Sequence, residues 1–284
     1  MRSHFLSVLV IVLVMASCAE NPLNEADNMG RRAGLQREQF KTDSFLLTTY
    51  IRISDKTQPY NIYIEGDGRS WLAAHEPSTD PTPHKFLGLA LASKDAAENV
   101  IYLARPCQFT SLNRDPFCAQ TYWTDRRFSE EVITSLNQAI DHFVSPFTNQ
   151  KNLNIIGYSG GGAIAVIIAA RRHDVLSIRT VAGNLDQEEV NVIHHVDQMP
   201  GSLNARTFAL QVASIPQMHF SGVRDDVIPP AVSEDFRRAS SLSPCIELQA
   251  LPFANHEDGW IENWSALLKE PLPCQPGRSV IDPK

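Results

Sequence analysis

Short apolar runs alternate with amphipathic stretches along the chain from residue 45 onward. Runs rich in β-branched and aromatic residues predict strands at residues 45–53, 60–65, 99–104, 153–156, 178–182, 217–221 and 246–251. Apolar residues repeated at helical spacing predict helices at residues 128–143, 161–172 and 261–268. This alternation predicts an α/β fold, in which helices flank both faces of a mostly parallel central sheet. With no internal repeat or low-complexity linker in the sequence, we expect one domain over residues 45–284.

Residues 1–17 have the pattern of an export signal. Arg2 supplies a positive charge, and residues 5–15 are apolar apart from Ser7. A run of about eleven residues is too short for a transmembrane helix, which needs roughly 20. Small residues then lead into Cys18, which resembles the lipoprotein box of bacteria, in which the cysteine is acylated and becomes the new N-terminus. The alternative is an ordinary signal peptide cut after Ala16.

The residue after the lipidated cysteine indicates in which membrane such a lipoprotein is anchored. Residue 19 is Ala, whereas an Asp at this position is the usual inner-membrane retention signal of bacterial lipoproteins. The resemblance therefore implies a lipid anchor in the outer membrane, on its periplasmic face. Residues 18–44 are polar, and we expect a tether with helical tendency near residues 31–41.

The other four cysteines form an even set in a chain with an export signal, which predicts two disulfide bonds. Three pairings exist. We favour the local one, because it closes two short loops between predicted elements: Cys107–Cys118 and Cys245–Cys274. The spacings do not match a zinc site, so we expect no metal.

The composition is that of a globular protein. Of the 284 residues, 43% are hydrophobic and 20% are charged, which excludes a disordered or collagen-like chain. The net charge of −7 argues against a nucleic-acid partner. The sequence has no dinucleotide-binding, P-loop or H-E-x-x-H motif, and we expect no cofactor.

A glycine-rich segment carries the clearest chemical pattern. Residues Gly157-Tyr158-Ser159-Gly160-Gly161 fit G-x-S-x-G and lie between a predicted strand and a predicted helix. Such a strained strand–turn–helix connection exposes a serine hydroxyl and directs the N–H of the next residue, here Gly160, at a developing oxyanion. The alternative is a glycine-rich turn with no catalytic role.

A serine nucleophile requires an acid and a base. After the strand at residues 217–221, the residues Gly222, Asp225 and Pro229 match the G-x-x-D-x-x-x-P loop that carries the acid in many members of the α/β-hydrolase superfamily. Nearly the whole chain after residue 44 resembles this superfamily, and the resemblance implies that Asp225 is the acid. Its neighbour Asp226 and the earlier Asp186 stay as alternatives.

The base is expected at His256, which lies between the last predicted strand and the last predicted helix, where the superfamily places it. His194 and His195 precede the acid and so have the wrong chain order. We expect them at the surface, and we expect His219 to be buried at a strand end.

The second oxyanion donor is expected in the loop after residue 64. Where the superfamily often has His-Gly and a donating residue, this chain has Glu65-Gly66-Asp67, and Asp67 falls on the donor position. Its side chain must then point away from the oxyanion, paired with Arg69 or Arg105, or Gly68 donates instead. The alternative is a plain turn.

Together these residues indicate acyl transfer to Ser159 and hydrolysis by water that His256 activates. Residues 183–206 are too few for a large lid, so we expect an accessible cleft for a small molecule, a short peptide or a lipid ester. We predict a lipid-anchored serine hydrolase, first a carboxylesterase and otherwise a peptidase or lipase. The alternative, which Glu65 and Asp67 favour, is an inactive hydrolase-like lipoprotein of the cell envelope with a role in binding or assembly.

Overall fold

A central sheet of eight strands organises the chain in the computed structural model, which describes residues 21–73, 76–144 and 152–274. The strands are β1 Gln36–Lys41, β2 Leu46–Ile53, β3 Tyr60–Ile64, β6 Asn99–Leu103, β7 Leu153–Tyr158, β8 Val175–Val181, β9 Gln217–Gly222 and β10 Ile246–Leu251. Their order across the sheet is β1-β2-β6-β3-β7-β8-β9-β10. A separate hairpin contains β4 (Trp71–Ala73) and β5 (Glu76–Pro77).

The pairing is parallel from β6 to β10 and antiparallel at β1–β2 and β2–β6. Side chains alternate between the two faces of each strand, so Ile155 joins one hydrophobic core and Ile156 the other. The predicted mostly parallel sheet is therefore confirmed.

Helices cover both faces of this sheet. One core contains residues of α3 (Glu130–Phe143), α4 (Gly160–Ala169), α5 (Gln187–Ile193) and α6 (Pro230–Ala239). The other contains residues of α1 (Pro22–Arg32), α2 (Leu87–Ser93) and α7 (Trp264–Leu267). The predicted helices near residues 128–143 and 161–172 are present, whereas the predicted closing helix is limited to the short α7.

The expectation of a polar tether is wrong for most of the described residues before residue 45. Asn21 caps α1 by accepting a hydrogen bond from the backbone of Leu23 at 2.9 Å, and β1 pairs with β2 at the sheet edge. Most of the stretch near residues 31–41 is therefore strand rather than helix. Its polar composition reflects an edge strand, which leaves much of its surface in solvent. The predicted signal, residues 1–17, and Cys18 lie outside the described residues.

The predicted cysteine pairs are both disulfide-bonded, with Cα–Cα distances of 5.5 Å for Cys107–Cys118 and 5.1 Å for Cys245–Cys274. Within the described ranges, no helix has the length and apolar character needed to span a bilayer. The same ranges contain no cluster of three or more potential metal ligands.

Candidate active site

Ser159 occupies the sharp turn between β7 and α4. Its backbone has φ 50° and ψ −121°, a left-handed conformation that costs a non-glycine residue about 1–3 kcal/mol. The turn is so tight that a Cβ at Gly157 would lie 2.2 Å from the carbonyl oxygen of Gly161. The glycine of the motif is therefore required by close backbone packing, and the turn holds the serine beside the cleft.

The structure brings Ser159, His256 and Asp225 together. His256 Nε2 lies 3.1 Å from Ser159 Oγ, and His256 Nδ1 lies 3.0 Å from Asp225 Oδ2. The acid and base follow β9 and β10, which are adjacent parallel strands, so their loops meet at the same edge of the sheet. A base aligned between a hydroxyl and a carboxylate can activate the serine as a nucleophile.

Backbone groups hold the acid in place. Asp225 Oδ1 accepts hydrogen bonds from the backbone N–H groups of Val227 at 2.9 Å and Ile228 at 2.8 Å, which leaves Oδ2 for His256. The neighbouring Asp226 is exposed. Asp186, the other alternative, caps α5 and accepts a hydrogen bond from Asn204 at 2.8 Å. Of the three carboxylates, only that of Asp225 lies within hydrogen-bond distance of His256 among the described residues.

The indole of Trp260 holds the backbone beside the base, His256. The Trp260 Nε1–H donates to the carbonyl oxygens of Asn255 at 2.9 Å and His256 at 3.2 Å. The ring of Tyr158 lies 5.5 Å from the imidazole, centroid to centroid. Packing and hydrogen bonding therefore fix the loop that carries His256.

The histidines between Ser159 and Asp225 in the sequence lie away from the nucleophile. His219 is fully buried, with Nδ1 2.8 Å from Thr180 Oγ1 and Nε2 3.1 Å from Gln217 Oε1, and burial lowers its pKa to about 3. His194 and His195 are exposed and line the cleft, and His194 Nε2 lies 2.7 Å from the carbonyl oxygen of Val227. Neither exposed histidine takes the position beside Ser159.

The first residues of the loop after β3 lie beside the nucleophile Ser159. A Cβ at Gly66 would lie 3.3 Å from Ser159 Cβ, and one at Gly160 would lie 1.9 Å from Asp67 Oδ1. Gly68 instead packs against Pro81 and Gln108. Asp67 thus lies closer to the nucleophile turn than Gly68 does. As the first residue of α4, Gly160 has an N–H without an acceptor in its own helix.

Two arginines hold the Asp67 side chain. Arg105 Nη1 lies 2.8 Å from Asp67 Oδ1, as one of the two expected partners, and Arg127 Nε lies 3.2 Å from Oδ2. The other expected partner, Arg69, forms no such pair among the described residues. Burial by itself would raise the pKa of Asp67, but the charges of Arg127 and Arg105 outweigh burial and hold the pKa below its ordinary value.

The buried carboxylate of Glu65 holds the same loop through hydrogen bonds. Its Oε1 accepts hydrogen bonds from the N–H groups of Gly66 at 2.9 Å and Gly88 at 3.0 Å, and its Oε2 accepts from Leu89 N–H at 3.2 Å and Tyr102 O–H at 3.0 Å. Burial raises the pKa of this carboxyl despite the four donors. Glu65 therefore connects the loop to the first turn of α2, a role that sequence reasoning missed.

A cleft of about 980 Å³ opens above Ser159. Its walls include strand β4, the end of α5 and the loops that carry Asp67 and His256. Four large apolar side chains that are exposed lie along its wall: Trp71, Leu72, Val196 and Val227. The cleft is large enough for a small organic substrate.

The sequence of residues 96–249, more than half of the chain, matches the family described as Serine hydrolase (FSH1). The matched range includes Ser159 and Asp225 and ends before His256. Among curated proteins, none matches the chain.

Solved structures with the α/β-hydrolase fold resemble the chain at low sequence identity. Est1E from Butyrivibrio proteoclasticus is 14% identical with a TM-score of 0.55, over 82% of this chain and 96% of Est1E. A putative lipase from Acinetobacter baumannii is 13% identical with a TM-score of 0.57, over 88% and 94% of the two chains. The acylaminoacyl peptidase of Pyrococcus horikoshii is 10% identical with a TM-score of 0.56, over 82% of this chain and 40% of the peptidase. This chain therefore spans less than half of that protein. These similarities establish the fold.

Proposed function

Because the chain belongs to the FSH1 family of serine hydrolases, we propose that it hydrolyses carboxylic esters through an acyl-enzyme formed on Ser159. The observation that carries this proposal is the continuous line of contacts from Ser159 Oγ through His256 to Asp225, at 3.1 Å and 3.0 Å. Few surface arrangements outside hydrolytic sites place a hydroxyl, an imidazole and a buried carboxylate in this order.

The reaction follows from these contacts. His256 keeps its Nδ1 proton, which is hydrogen-bonded to Asp225, and accepts the proton of Ser159 at Nε2 while Oγ attacks the ester carbonyl. The backbone N–H groups of Gly160 and Asp67 are the proposed donors to the oxyanion, with Gly68 as the alternative second donor. His256 then protonates the leaving alcohol and activates the water that releases the acid.

An ester is favoured over an amide by the cleft itself. Ser159 is 9% exposed at the base of an open cleft, and apolar side chains border the approach. Such an entrance suits a partly apolar small molecule better than an extended polar peptide. Peptidase and lipase activities are the outcomes that a substrate screen would separate from carboxylesterase activity.

We also propose that the protein is exported and held by lipid on Cys18, at the periplasmic face of the outer membrane. Two disulfide bonds favour an oxidising compartment. Pro22, where α1 begins, is only four residues after Cys18. Four residues span at most about 14 Å, so the body would lie close to the bilayer.

A fluorophosphonate probe tests the chemistry. The wild type should be labelled and Ser159→Ala should not, while Ser93→Ala, a serine of α2, should react as the wild type does. 4-Nitrophenyl esters of rising chain length, compared with aminoacyl-naphthylamides, then identify the bond that is cleaved. Absence of labelling in well-folded wild-type protein would contradict the proposal and favour the inactive binding lipoprotein.

Fractionation tests the anchor separately. The wild type should be found in the membrane fraction, and Cys18→Ser should leave it. A Cys18→Ser protein that stays with the membrane would exclude lipid on this residue as the attachment.

A further inference from the structure

Arg127 presents the unpaired end of its guanidinium to the cleft. The side chain is 13% exposed and lines the cleft together with Ser159. Its Nε is buried beside Asp67 Oδ2, whereas Nη1 and Nη2 are accessible and have no hydrogen-bond partner among the described residues. A guanidinium with two free NH₂ groups at a largely enclosed position can still bind an anion.

The packing behind Arg127 fixes the direction of this group. The guanidinium lies over the ring of Phe128 at 5.5 Å, and the backbone carbonyl of Arg127 accepts a hydrogen bond from Arg105. Asp67 holds Nε at 3.2 Å. The side chain is therefore oriented before any ligand arrives, which lowers the entropy lost on binding.

The local charge also favours an anion. Arg105 and Arg127 share one carboxylate, Asp67. The nearby Glu65 also acts on Arg105, but its oxygens accept hydrogen bonds from Gly66, Gly88 and Leu89, and it forms no ion pair with Arg127 among the described residues. The exposed Asp125, also on the cleft wall, lies 3.2 Å from Thr124 Oγ1 and forms no ion pair with Arg127. Since Arg105 is almost fully buried, Arg127 is the member of the cluster that a ligand can reach.

We propose that Arg127 is a substrate-binding residue that receives a carboxylate, and that the preferred substrate is an ester with a carboxylate a few carbons from the scissile carbonyl. This inference rests on the proposed esterase function. The guanidinium pairs with the same Asp67 carboxylate that borders Gly160, the residue after the nucleophile. The exposed Trp71 and Leu72 offer apolar contacts to the rest of such a molecule.

Two esters of equal chain length isolate the contribution of the carboxylate. 4-Nitrophenyl hydrogen adipate ends in a carboxylate, and 4-nitrophenyl hexanoate ends in a methyl group. We expect the wild type to prefer the adipate in kcat/KM, and Arg127→Gln to lower the adipate-to-hexanoate ratio about tenfold or more, because the charge-assisted hydrogen bonds are lost. Arg126→Gln is the matched control, because its ion pair with Glu131 lies outside the cleft lining and the ratio should not change.

A measurement on the wild type keeps the test independent of how the variant folds. Raising NaCl from about 0.05 M to about 0.5 M should lower the adipate-to-hexanoate ratio, because salt screens the attraction. A second variant, Arg127→Lys, keeps the charge without the planar fork and should give an intermediate ratio.

The outcomes separate this inference from the proposed function. If the wild type cleaves hexanoate but the ratio is the same in Arg127→Gln and insensitive to salt, the carboxylate site is overturned and the hydrolase stands. A parallel loss on both esters overturns it too, since it would reflect only the support that Arg127 gives to Asp67. If neither ester is cleaved and the fluorophosphonate does not react, the proposed function fails and this inference with it.

Discussion

Glu65 Oε1 lies 3.0 Å from the backbone nitrogen of Gly88, 23 residues further along the chain. This contact joins the loop that carries Asp67 to the first turn of α2. A carboxylate is favourable at a helix N-terminus, where backbone N–H groups lack partners. Glu65, which stands where the expected pattern has His, therefore has a structural role in this chain.

Replacing Glu65 by Gln should impair the chemical step. The glutamine amide keeps the size of the side chain, but its NH₂ group cannot accept hydrogen bonds, so one pair of donors, either Gly66 and Gly88 or Leu89 and Tyr102, loses its acceptor. We expect kcat to fall roughly tenfold with little change in KM, and the free energy of unfolding to fall by about 1–3 kcal/mol. Ester hydrolysis and urea unfolding measure the two effects. Glu262→Gln, at an exposed position, should match the wild type in both.

Asp225 and its neighbour Asp226 form a matched pair for testing the acid. Asp225→Asn should lower kcat by about 10³- to 10⁴-fold, because an amide favours the wrong tautomer of His256. Asp226→Asn should leave kcat within about twofold, since this side chain is exposed. Steady-state kinetics on a 4-nitrophenyl ester provide the measurement. A larger loss in Asp226→Asn than in Asp225→Asn would reverse the assignment.

Gly160→Ala should displace the Asp67 carboxylate, because the added Cβ would lie 1.9 Å from Oδ1. We expect kcat to fall, since the oxyanion loop must move, and the free energy of unfolding to fall by about 1–3 kcal/mol. Gly162→Ala is the control: its Cβ would meet Gly183 at 2.9 Å, away from the oxyanion loop. Both variants should lose stability, and only Gly160→Ala should lose kcat. Equal kcat in the two would argue against Asp67 at the oxyanion.

His219 makes stability depend on pH. Burial lowers its pKa to about 3 in the folded protein, against an ordinary value of about 6.5, so the unfolded chain gains the proton first as pH falls. Its contribution is complete above pH 6.5 and is lost as pH falls toward 3, amounting to about 2 kcal/mol between pH 7 and pH 5.

Urea unfolding at pH 7 and pH 5 measures this contribution. We expect His219→Gln to be less stable at pH 7 and to lose about 2 kcal/mol less than the wild type on acidification. His173→Gln, at an exposed position, should follow the wild type. Equal pH dependence in the wild type and His219→Gln would contradict the assignment.

The elements around Ser159 and the chain order of the acid and base can be read from the amino-acid sequence alone. Burial on one or both faces gives strands and helices their periodicity within ten to fifteen residues. The glycine at residue 157 reflects a steric limit of the turn itself, because an added Cβ would meet Gly161. The two disulfide pairings followed from short loops between elements. Each of these constraints acts over a short stretch of chain and can therefore be predicted from the sequence.

The surroundings of Asp67, by contrast, depend on contacts between distant parts of the chain. Arg127 is 60 residues away in sequence, and Glu65 finds its partners on α2 through the packing of that helix against β3. Polar β1 resembles a tether until its pairing with β2 is known. Hydrogen bonds and ion pairs between distant segments depend on which strand ends and helix termini the fold brings together, and residue type alone does not specify that.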